Sequence, residues 1–388
     1  MEVKQIAAFA NQAQREAIGE EATVINEDLS NIVDAGNELF NANAVDNYVK
    51  SLVNTIGRFQ FVQRAYRGRL PRLLRNAWEW GSVMEKVQMD LPEAIEDQSW
   101  DLQNLRSYDT QIFYKPSVSA KFFNDKLAFS IPMSITEKQV KQSLTGPEAY
   151  SSFVSMIYMQ LENSGTIKVE EVTRRAVNNA MAAVIYDEYQ GQNYTTKSGV
   201  RAINLLYEYN TEKSTTLTPA EAIKDPAFIR YAVYRIGTIS DRMKSANNLY
   251  NLGGKTRFTP GDMQECVMLT DFEKAAGVFL YSAANQYNTE NLALPEHETV
   301  PFWQGIGDNY AFDDVSAINV TDTDGNTTSL DGIVCCLYDR EAIAVFNEYK
   351  KVTVSPMNDV GDFYTVRHKY EISLMNDFNE QIVVFFLK

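Results

Sequence analysis

The clearest pattern of apolar and polar positions lies in residues 362–372, where the even positions are mostly apolar and the odd ones are polar. The even positions are Tyr364, Val366, His368, Tyr370 and Ile372. A period of two residues is typical of an antiparallel strand with one buried face. We therefore predict a half-buried strand that carries His368 on its buried face as a hydrogen-bonded, structural imidazole.

This strand belongs to a C-terminal segment, residues 331–388, that predicts a strand, a short helix and three more strands. A turn around Pro356 and Gly361 separates two of the strands, and the last strand is the continuous apolar run QIVVFFL. We expect the strands to form a sheet that ties this segment into a core.

Upstream patterns predict helices and one long hairpin. Residues 1–55 favour helix but contain few core-forming side chains, so we expect this arm to lie on another surface. Residues 68–135 predict two extended arms around an acidic bend. One face of the returning arm is apolar, and an isolated hairpin of this kind is barely stable in water. The residues of that face are Ile112, Tyr114, Val118, Ala120 and Phe122.

The longest predicted helix follows Gly165 and runs to Tyr189, with an apolar stripe on one side. Capping boxes, in which a Ser or Thr is followed three residues later by Glu, predict helix starts at Thr145, Thr218 and Thr270. Residues 195–330 mix helices, strands and polar turns. Within them, residues 320–331 carry acidic side chains, but Val320 at the first ligand position favours a polar hairpin turn over a calcium loop.

Composition narrows the functional classes. The chain has 388 residues, enough for two or three domains at roughly 150 residues each. Its hydrophobic content of 45% excludes wholesale disorder. A net charge of −15 disfavours a nonspecific nucleic-acid binder, because such affinity comes from phosphate neutralisation by Lys and Arg.

Candidate chemistry is sparse. The three cysteines, Cys266, Cys335 and Cys336, fit neither a disulfide framework nor a metal cluster, and they indicate synthesis in a reducing cytoplasm. We expect no signal peptide and no membrane span. The sequence lacks the motifs of acyl transfer and of zinc chemistry, so we expect no catalytic residue, cofactor or metal, although 51 acidic residues leave a two-carboxylate hydrolase open.

Four elements of the C-terminal segment together resemble the end of tailed-bacteriophage major capsid proteins of the Hong Kong 97-like fold. They are DREAIAVF, the turn around SPMNDVGDFY, the NDF loop and IVVFFL. The nearest likeness is to the phi-twenty-nine-like group of short-tailed phages. Two further stretches support it in the same chain order, NELFNANAVDNYVKSLVNTIGRFQFVQRAY and AYSSFVSMIYMQLENSG.

The resemblance implies an α+β chain with four parts. They are an N-terminal arm (1–55), an extended β-hairpin loop (68–135), a peripheral domain with a long spine helix (56–67, 136–194 and 331–388) and an axial domain (195–330). In the family the extended loop lies across a neighbouring subunit.

One charge pattern suggests where subunits meet. Five arginines follow one another closely in an acidic chain, and acids occupy the bend of the extended loop. A nucleic-acid patch and a solvated face are two interpretations, and we favour a third, head-to-tail pairing between subunits. The candidate interface residues are Arg64, Arg67, Arg69, Arg72, Arg75, Trp78, Trp80, Glu93, Glu96 and Asp97.

We therefore interpret the chain as a major capsid protein that assembles into an icosahedral or elongated shell around double-stranded DNA. The resemblance implies pentamers and hexamers, a scaffolding protein and a portal protein as partners, and assembly in the host bacterial cytoplasm to give a virion component. One alternative is the shell protein of an encapsulin nanocompartment. Another, of a different class, is a carbohydrate-active or carbohydrate-binding protein with Trp78, Trp80, Trp100 and Trp303 as aromatic platforms.

Overall fold

The computed structural model describes residues 3–19, 22–42, 44, 47–48, 51–52, 69–76, 84–92, 94–108, 111–283, 295–304, 311–321 and 324–388. The chain divides into two compact units. Unit 1 comprises Met1–Glu79, Lys126–Thr173 and Val345–Ser373. Unit 2 comprises Trp80–Asp125, Arg174–Ala344 and Leu374–Lys388.

Helices and strands are interspersed along the described part of the chain. The helices are α1 (Val3–Ile18), α2 (Ile32–Asn41), α3 (Glu137–Ser143), α4 (Pro147–Tyr189), α5 (Leu205–Lys213), α6 (Pro219–Ala222), α7 (Pro226–Met243), α8 (Thr270–Ala283) and α9 (Phe312–Val315). The strands are β1 (Leu74–Asn76), β2 (Met84–Met89), β3 (Val118–Phe123), β4 (Asp125–Thr136), β5 (Ala202–Asn204), β6 (Gln264–Leu269), β7 (Glu298–Val300), β8 (Ile318–Thr321), β9 (Thr327–Leu330), β10 (Ile333–Asp339), β11 (Ile343–Val354), β12 (Phe363–Asn376) and β13 (Ile382–Phe386).

Unit 1 is built on a four-stranded sheet with the order β1-β11-β12-β4. Strand β1 runs parallel to β11, with Leu74 opposite Val345. The alternation predicted for residues 362–372 is confirmed, because every even position from Tyr364 to Ile372 is buried. The sheet therefore presents one face of β12 to a core and keeps Arg367 and Lys369 in solvent.

The N-terminal helices pack in the core of unit 1, so the arm does lie on another surface, as expected, and that surface belongs to the same chain. Ile6, Leu29 and Leu39 are buried in one cluster with residues of α3, α4 and β12. Apolar side chains three and four residues apart form one stripe on each of α1 and α2, and that stripe is wide enough to pack within the unit. A buried hydrogen bond of 2.7 Å joins the hydroxyls of Tyr48 and Tyr150.

Helix α4 is longer than predicted, because it continues through Gly165 and begins at Pro147. A Cβ atom at position 165 would collide with the Tyr370 hydroxyl, so glycine here allows a close approach of β12 to the helix. Gly165 therefore serves packing and does not end a helix. Helix α4 contributes its first part to unit 1 and its remainder to unit 2.

The three predicted helix starts have different outcomes. The capping box at Thr218 is confirmed. Helix α8 begins at Thr270, but the Thr270 hydroxyl is buried without a hydrogen-bond partner among the described residues. A helix also begins at Pro147, beside the start predicted at Thr145, but the capping box there does not form, because the Thr145 hydroxyl donates to the Gln142 carbonyl at the end of α3.

Unit 2 is built on a five-stranded sheet with the order β5-β13-β10-β6-β7. Strand β10 lies in the middle, and all its residues are buried, including Cys335 and Cys336. One hydrophobic cluster joins residues of α5, α7 and α8 to β6, β10 and β13. All three cysteines are buried and free, with the sulfurs of Cys266 and Cys335 3.6 Å apart.

The C-terminal segment differs from the prediction in two ways. The short helix is a turn at residues 340–342, which the Asp339 carboxylate closes by accepting a hydrogen bond of 2.8 Å from the Glu341 amide. The strands also join two sheets, because β10 and β13 lie in unit 2 while β11 and β12 lie in unit 1. Continuous apolar runs fit a sheet buried on both faces, whereas an alternating strand fits a sheet with one solvated face.

Two hairpins complete unit 2. Strands β8 and β9 pair antiparallel, and Gly325 in their turn has a φ of 84°, which confirms the polar hairpin predicted at residues 320–331. Strands β2 and β3 pair antiparallel, as predicted for the extended loop. In the part of the chain that the structure describes, no helix has both the length and the apolar character needed to cross a bilayer.

Candidate functional site

The hairpin of β2 and β3 has an apolar and a polar face, and the apolar face is the exposed one. Its exposed fractions are 62% for Val87, 58% for Val118 and 66% for Phe122. Register explains the common face, because Val87 lies opposite Ala120 and Met89 lies opposite Val118. The predicted apolar face of the returning arm is therefore present, and the described residues leave it exposed.

The polar face of the hairpin contacts the turn between β12 and β13. The Lys86 ammonium lies 2.9 Å from Asp377 Oδ2 and 2.8 Å from Glu380 Oε1. Lys121 Nζ lies 2.8 Å from Asp377 Oδ1. Gln88 also donates a hydrogen bond to Glu380. We call this group, Lys86, Gln88, Lys121, Asp377 and Glu380, the carboxylate clamp.

Asp377 is the centre of the clamp and its side chain is fully buried. Its amide donates a hydrogen bond of 2.7 Å to the Ala342 carbonyl, and its Oδ1 accepts one of 3.1 Å from the Asn379 amide. Burial raises the pKa of Asp377, but the ammonium groups of Lys121 and Lys86 outweigh that effect and hold the pKa below its ordinary value. The carboxylate is therefore ionised at neutral pH.

A second set of ion pairs lies where β2 ends. Lys255 Nζ lies 2.9 Å from both carboxylate oxygens of Asp90, and Arg257 lies 3.7 Å from the same group. Hydrogen bonds from Lys255 and Ser117 lower the pKa of Asp90. Asp90 therefore attaches the outer end of the hairpin to the loop that carries Lys255.

Beyond β2 and before β3, the bend of the loop forms an open groove of about 720 Å³. Exposed apolar side chains line it, among them Leu91, Ile95 and Phe113, of which Phe113 has 84% of its surface exposed. Acids accompany them. Glu96 and Asp97 are exposed, and hydrogen bonds from the amide and hydroxyl of Ser99 lower the pKa of Asp97.

The predicted interface residues fall partly outside the described residues. Arg64, Arg67, Trp78, Trp80 and Glu93 all lie outside them. Arg69 precedes the short helical turn Pro71–Leu73, Arg72 lies within it, and both are exposed. The Arg75 guanidinium lies 5.9 Å from the ring centroid of Phe346. The arginines belong to unit 1 and the acids to unit 2, and their pairing across copies stays a prediction.

The carboxylate clamp was not predicted from the sequence. One signal was available, because polar Lys86 and Gln88 alternate with Val87 and Met89 on β2, and Ser119 and Lys121 alternate with apolar residues on β3. That period showed that the hairpin has two faces. It did not show which face the rest of the chain covers, because Asp377, in the NDF loop, lies 291 residues from Lys86 and 256 residues from Lys121.

Residues weighed for other functions have structural roles in this fold. Trp303 is 1% exposed and donates a hydrogen bond of 3.0 Å to the Ile333 carbonyl, so it is a core residue and not a sugar-binding platform. His368 is buried as predicted, but neither ring nitrogen has a hydrogen-bond partner among the described residues, so the expected hydrogen bond is wrong. The described residues also hold no group of three or more His, Cys, Asp or Glu arranged to bind a metal.

One protein family matches this chain in sequence, and a solved structure resembles it in fold. A family model described as Phi29-like phage major capsid protein matches residues 8–386. The chain is similar to a solved structure described as head fiber and inner core protein gp22 of native bacteriophage P68, with a TM-score of 0.52, 11% identity and coverage of 85% of this chain and 87% of the other. No curated protein sequence matches the chain.

Two capsid structures have lower scores. The capsid of Staphylococcus phage Andhra gives a TM-score of 0.49 at 9% identity, covering 85% of this chain and 87% of that one. The capsid of Cyanophage P-SCSP1u gives 0.45 at 11% identity, covering 84% and 91%. Identities this low relate folds alone, and the fold relationship rests on the P68 structure.

Proposed function

The chain belongs to the family of Phi29-like phage major capsid proteins, and we propose on that premise that the hairpin of β2 and β3 is a surface through which its copies join. The chain is a major capsid protein of a tailed bacteriophage, with the α+β, Hong Kong 97-like fold predicted for it. It is a structural component of the virion that assembles with copies of itself into a shell.

The observation that carries the proposal is the exposed apolar face of the hairpin. Val87, Met89, Val118 and Phe122 each expose more than half of their surface, and the groove residues of the bend continue the apolar surface. Covering apolar surface is favourable by about 25 cal/mol per Å². Contiguous exposed apolar surface marks a site of protein contact. In a shell protein the natural cover is a neighbouring copy.

The contact between copies is heterologous, since the hairpin of one copy meets a different surface of the next. Heterologous contacts close into rings when the rotation between copies is right. Pentamers and hexamers are the rings that the family resemblance supports. Each contact is weak, but its repetition in every copy makes the shell stable.

Charge pairing at the rim of this contact gives the neighbour its orientation. The exposed acids Glu96 and Asp97 carry the opposite charge to the exposed arginines Arg69 and Arg72. Complementary charges at a rim improve orientation and association rate more than affinity. We place the arginines of one copy against the acidic bend of the next.

The remaining partners follow from the role of a shell. A scaffolding protein and a portal protein act during assembly in the host bacterial cytoplasm, and the finished shell encloses double-stranded DNA without reading its sequence. The charge of −15 supports enclosure over tight binding, because an acidic wall gains nothing from phosphate neutralisation.

Replacing the apolar face tests the proposal. We expect Val87→Ser combined with Phe122→Ser to reduce the yield of particles by sedimentation, because the substituted face no longer gains from being covered. Circular dichroism should show an unchanged fold, since both side chains are exposed. The matched control is Val278→Ser on α8, where Val278 is 63% exposed. Full particle yield from the double variant would refute the hairpin contact.

A further inference from the structure

Two lysines lie opposite each other on the two strands of the hairpin, which is an unfavourable arrangement of like charges. In the register of β2 and β3, Lys86 lies directly opposite Lys121. Like charges directly opposite each other on neighbouring strands destabilise the pair. A two-stranded hairpin is at best marginally stable alone. Without contacts to the rest of the chain, the hairpin would therefore combine the marginal stability of two isolated strands with a repulsive lysine pair at its centre.

Asp377 removes the repulsion by binding both lysines at once. One carboxylate oxygen accepts from Lys86 at 2.9 Å and the other accepts from Lys121 at 2.8 Å. Glu380 supplies a second negative charge to Lys86, and the Glu341 carbonyl accepts a further hydrogen bond of 3.0 Å from the same ammonium. Two positive charges therefore meet two negative charges.

The clamp also determines which face of the hairpin is exposed. Hydrophobic burial alone would turn Val87, Val118 and Phe122 towards the rest of the chain. The buried carboxylate of Asp377 instead pulls the lysine face inward, because an ionised carboxylate out of water requires charged partners. The apolar face must then point outward.

We propose that Asp377 is a positioning residue that holds the hairpin with its apolar face outward, ready for a neighbouring copy. This inference rests on the proposed function, since it adds how the contact surface is prepared before two copies meet. Pre-organisation of this kind improves association because little ordering remains to be done on contact.

The test compares Asp377→Asn with the full-length native chain, both unassembled. Hydrogen exchange followed by mass spectrometry should be roughly tenfold faster or more in residues 84–89 and 118–123 of the variant, because local opening becomes easier. Strand β6, which the clamp does not touch, should exchange as in the native chain. Particle yield by sedimentation should fall together with the loss of protection.

Two controls make the result specific. Asp241→Asn removes an exposed ion pair between Asp241 on α7 and Lys244, which directly follows that helix, and should change neither measurement. Adding Lys121→Gln to the Asp377→Asn variant should restore protection of the hairpin, because Lys86 then faces no like charge and keeps Glu380. If Asp377→Asn does not fold, Glu380→Gln is the milder variant and should give a smaller increase in the same direction.

The outcomes separate this inference from the proposed function. Native exchange of the hairpin in both Asp377→Asn and Glu380→Gln would overturn the clamp. Faster exchange with full particle yield would also overturn it, since orientation would then not matter to assembly. If Asp377→Asn assembles normally while the variant of Val87 and Phe122 does not, the hairpin contact stands and only the role of Asp377 is lost.

Discussion

His368 is a buried imidazole whose surroundings favour its neutral form. It exposes 5% of its surface on the inner face of β12. Burial lowers its pKa, the Lys350 cation lowers it further, and Glu162 opposes them only in part. Lys350 and Glu162 are themselves joined by an ion pair of 3.0 Å. Protonating His368 would therefore place a third charge beside a satisfied pair.

This arrangement predicts an acid-sensitive contribution of unit 1 to stability. An unfolded histidine binds its proton near pH 6.5, whereas folded His368 does so only at lower pH. Below pH 6.5 the unfolded chain therefore binds more protons, and the free energy of unfolding falls as the pH is lowered through the folded pKa. Each tenfold difference in proton affinity contributes about 1.4 kcal/mol.

Denaturant unfolding between pH 7.5 and 5, a range chosen around the ordinary pKa of histidine, checks this prediction. His368→Asn should be less stable than the native chain at pH 7.5 and should lose this part of the pH dependence. His297→Asn, at the other histidine, should keep it. A native pH profile in the His368 variant would show that other groups cause the acid sensitivity.

At the scale of elements, helix α4 and strand β12 approach each other at Gly165. The Tyr370 hydroxyl occupies the space that a Cβ at position 165 would take, and the Tyr370 ring stacks on Phe129 at a centroid distance of 5.1 Å. The same ring lies 5.5 Å from the Lys350 ammonium. One missing methyl group thus allows a helix and a sheet to pack tightly.

We predict that Gly165→Ala destabilises the protein although alanine favours helix by about 1 kcal/mol. The added methyl group forces Tyr370 out of its stacked position, and overpacking of this kind costs about 1–3 kcal/mol. Thermal unfolding should therefore show a lower Tm.

Two further variants isolate the cause of this effect. Gly277→Ala lies within α8 with open space around the new Cβ, and it should raise the Tm. Combining Gly165→Ala with Tyr370→Phe should recover part of the loss, because the hydroxyl is the atom nearest to the added methyl group. An increase in Tm for Gly165→Ala alone would contradict the packing explanation.

At the scale of the whole molecule, the same small contact recurs in every copy of a shell. An exposed ion pair contributes only about 0–1 kcal/mol by itself. Repetition makes such a contribution visible in the yield of particles even when it leaves the stability of one subunit unchanged. Assembly is therefore the sensitive measurement for the rim charges.

Reversing the acids of the bend tests their pairing with a neighbour. We expect Glu96→Lys with Asp97→Lys to lower particle yield by sedimentation while circular dichroism stays native. Arg69→Glu with Arg72→Glu, added to the same chain, should restore the yield, because coupling between the two groups is proposed. Unimpaired assembly after the acid reversal, or no recovery in the combined variant, would place the arginines elsewhere.

The local pattern of the chain predicted the type of most elements correctly. The alternation around His368, the hairpin formed by the two extended arms, and the cap at Thr218 all depend on neighbours close in sequence or on strand periodicity. The family order of motifs predicted the fold and the capsid function. The sequence predicts these features because side-chain periodicity and helix capping depend on residues that are close together in the chain.

Only the tertiary structure decided how the elements are divided between the two units and which of their faces are exposed. The sequence could not show that the N-terminal helices pack in the core of unit 1. It also could not show that β10 and β13 belong to a different sheet from β11 and β12. Nor could it show that Asp377 pairs with Lys86 and Lys121. The periodicity shows that the hairpin has two different faces, but it does not show which of them the rest of the chain covers. The choice depends on charges that come together only when distant segments fold against each other.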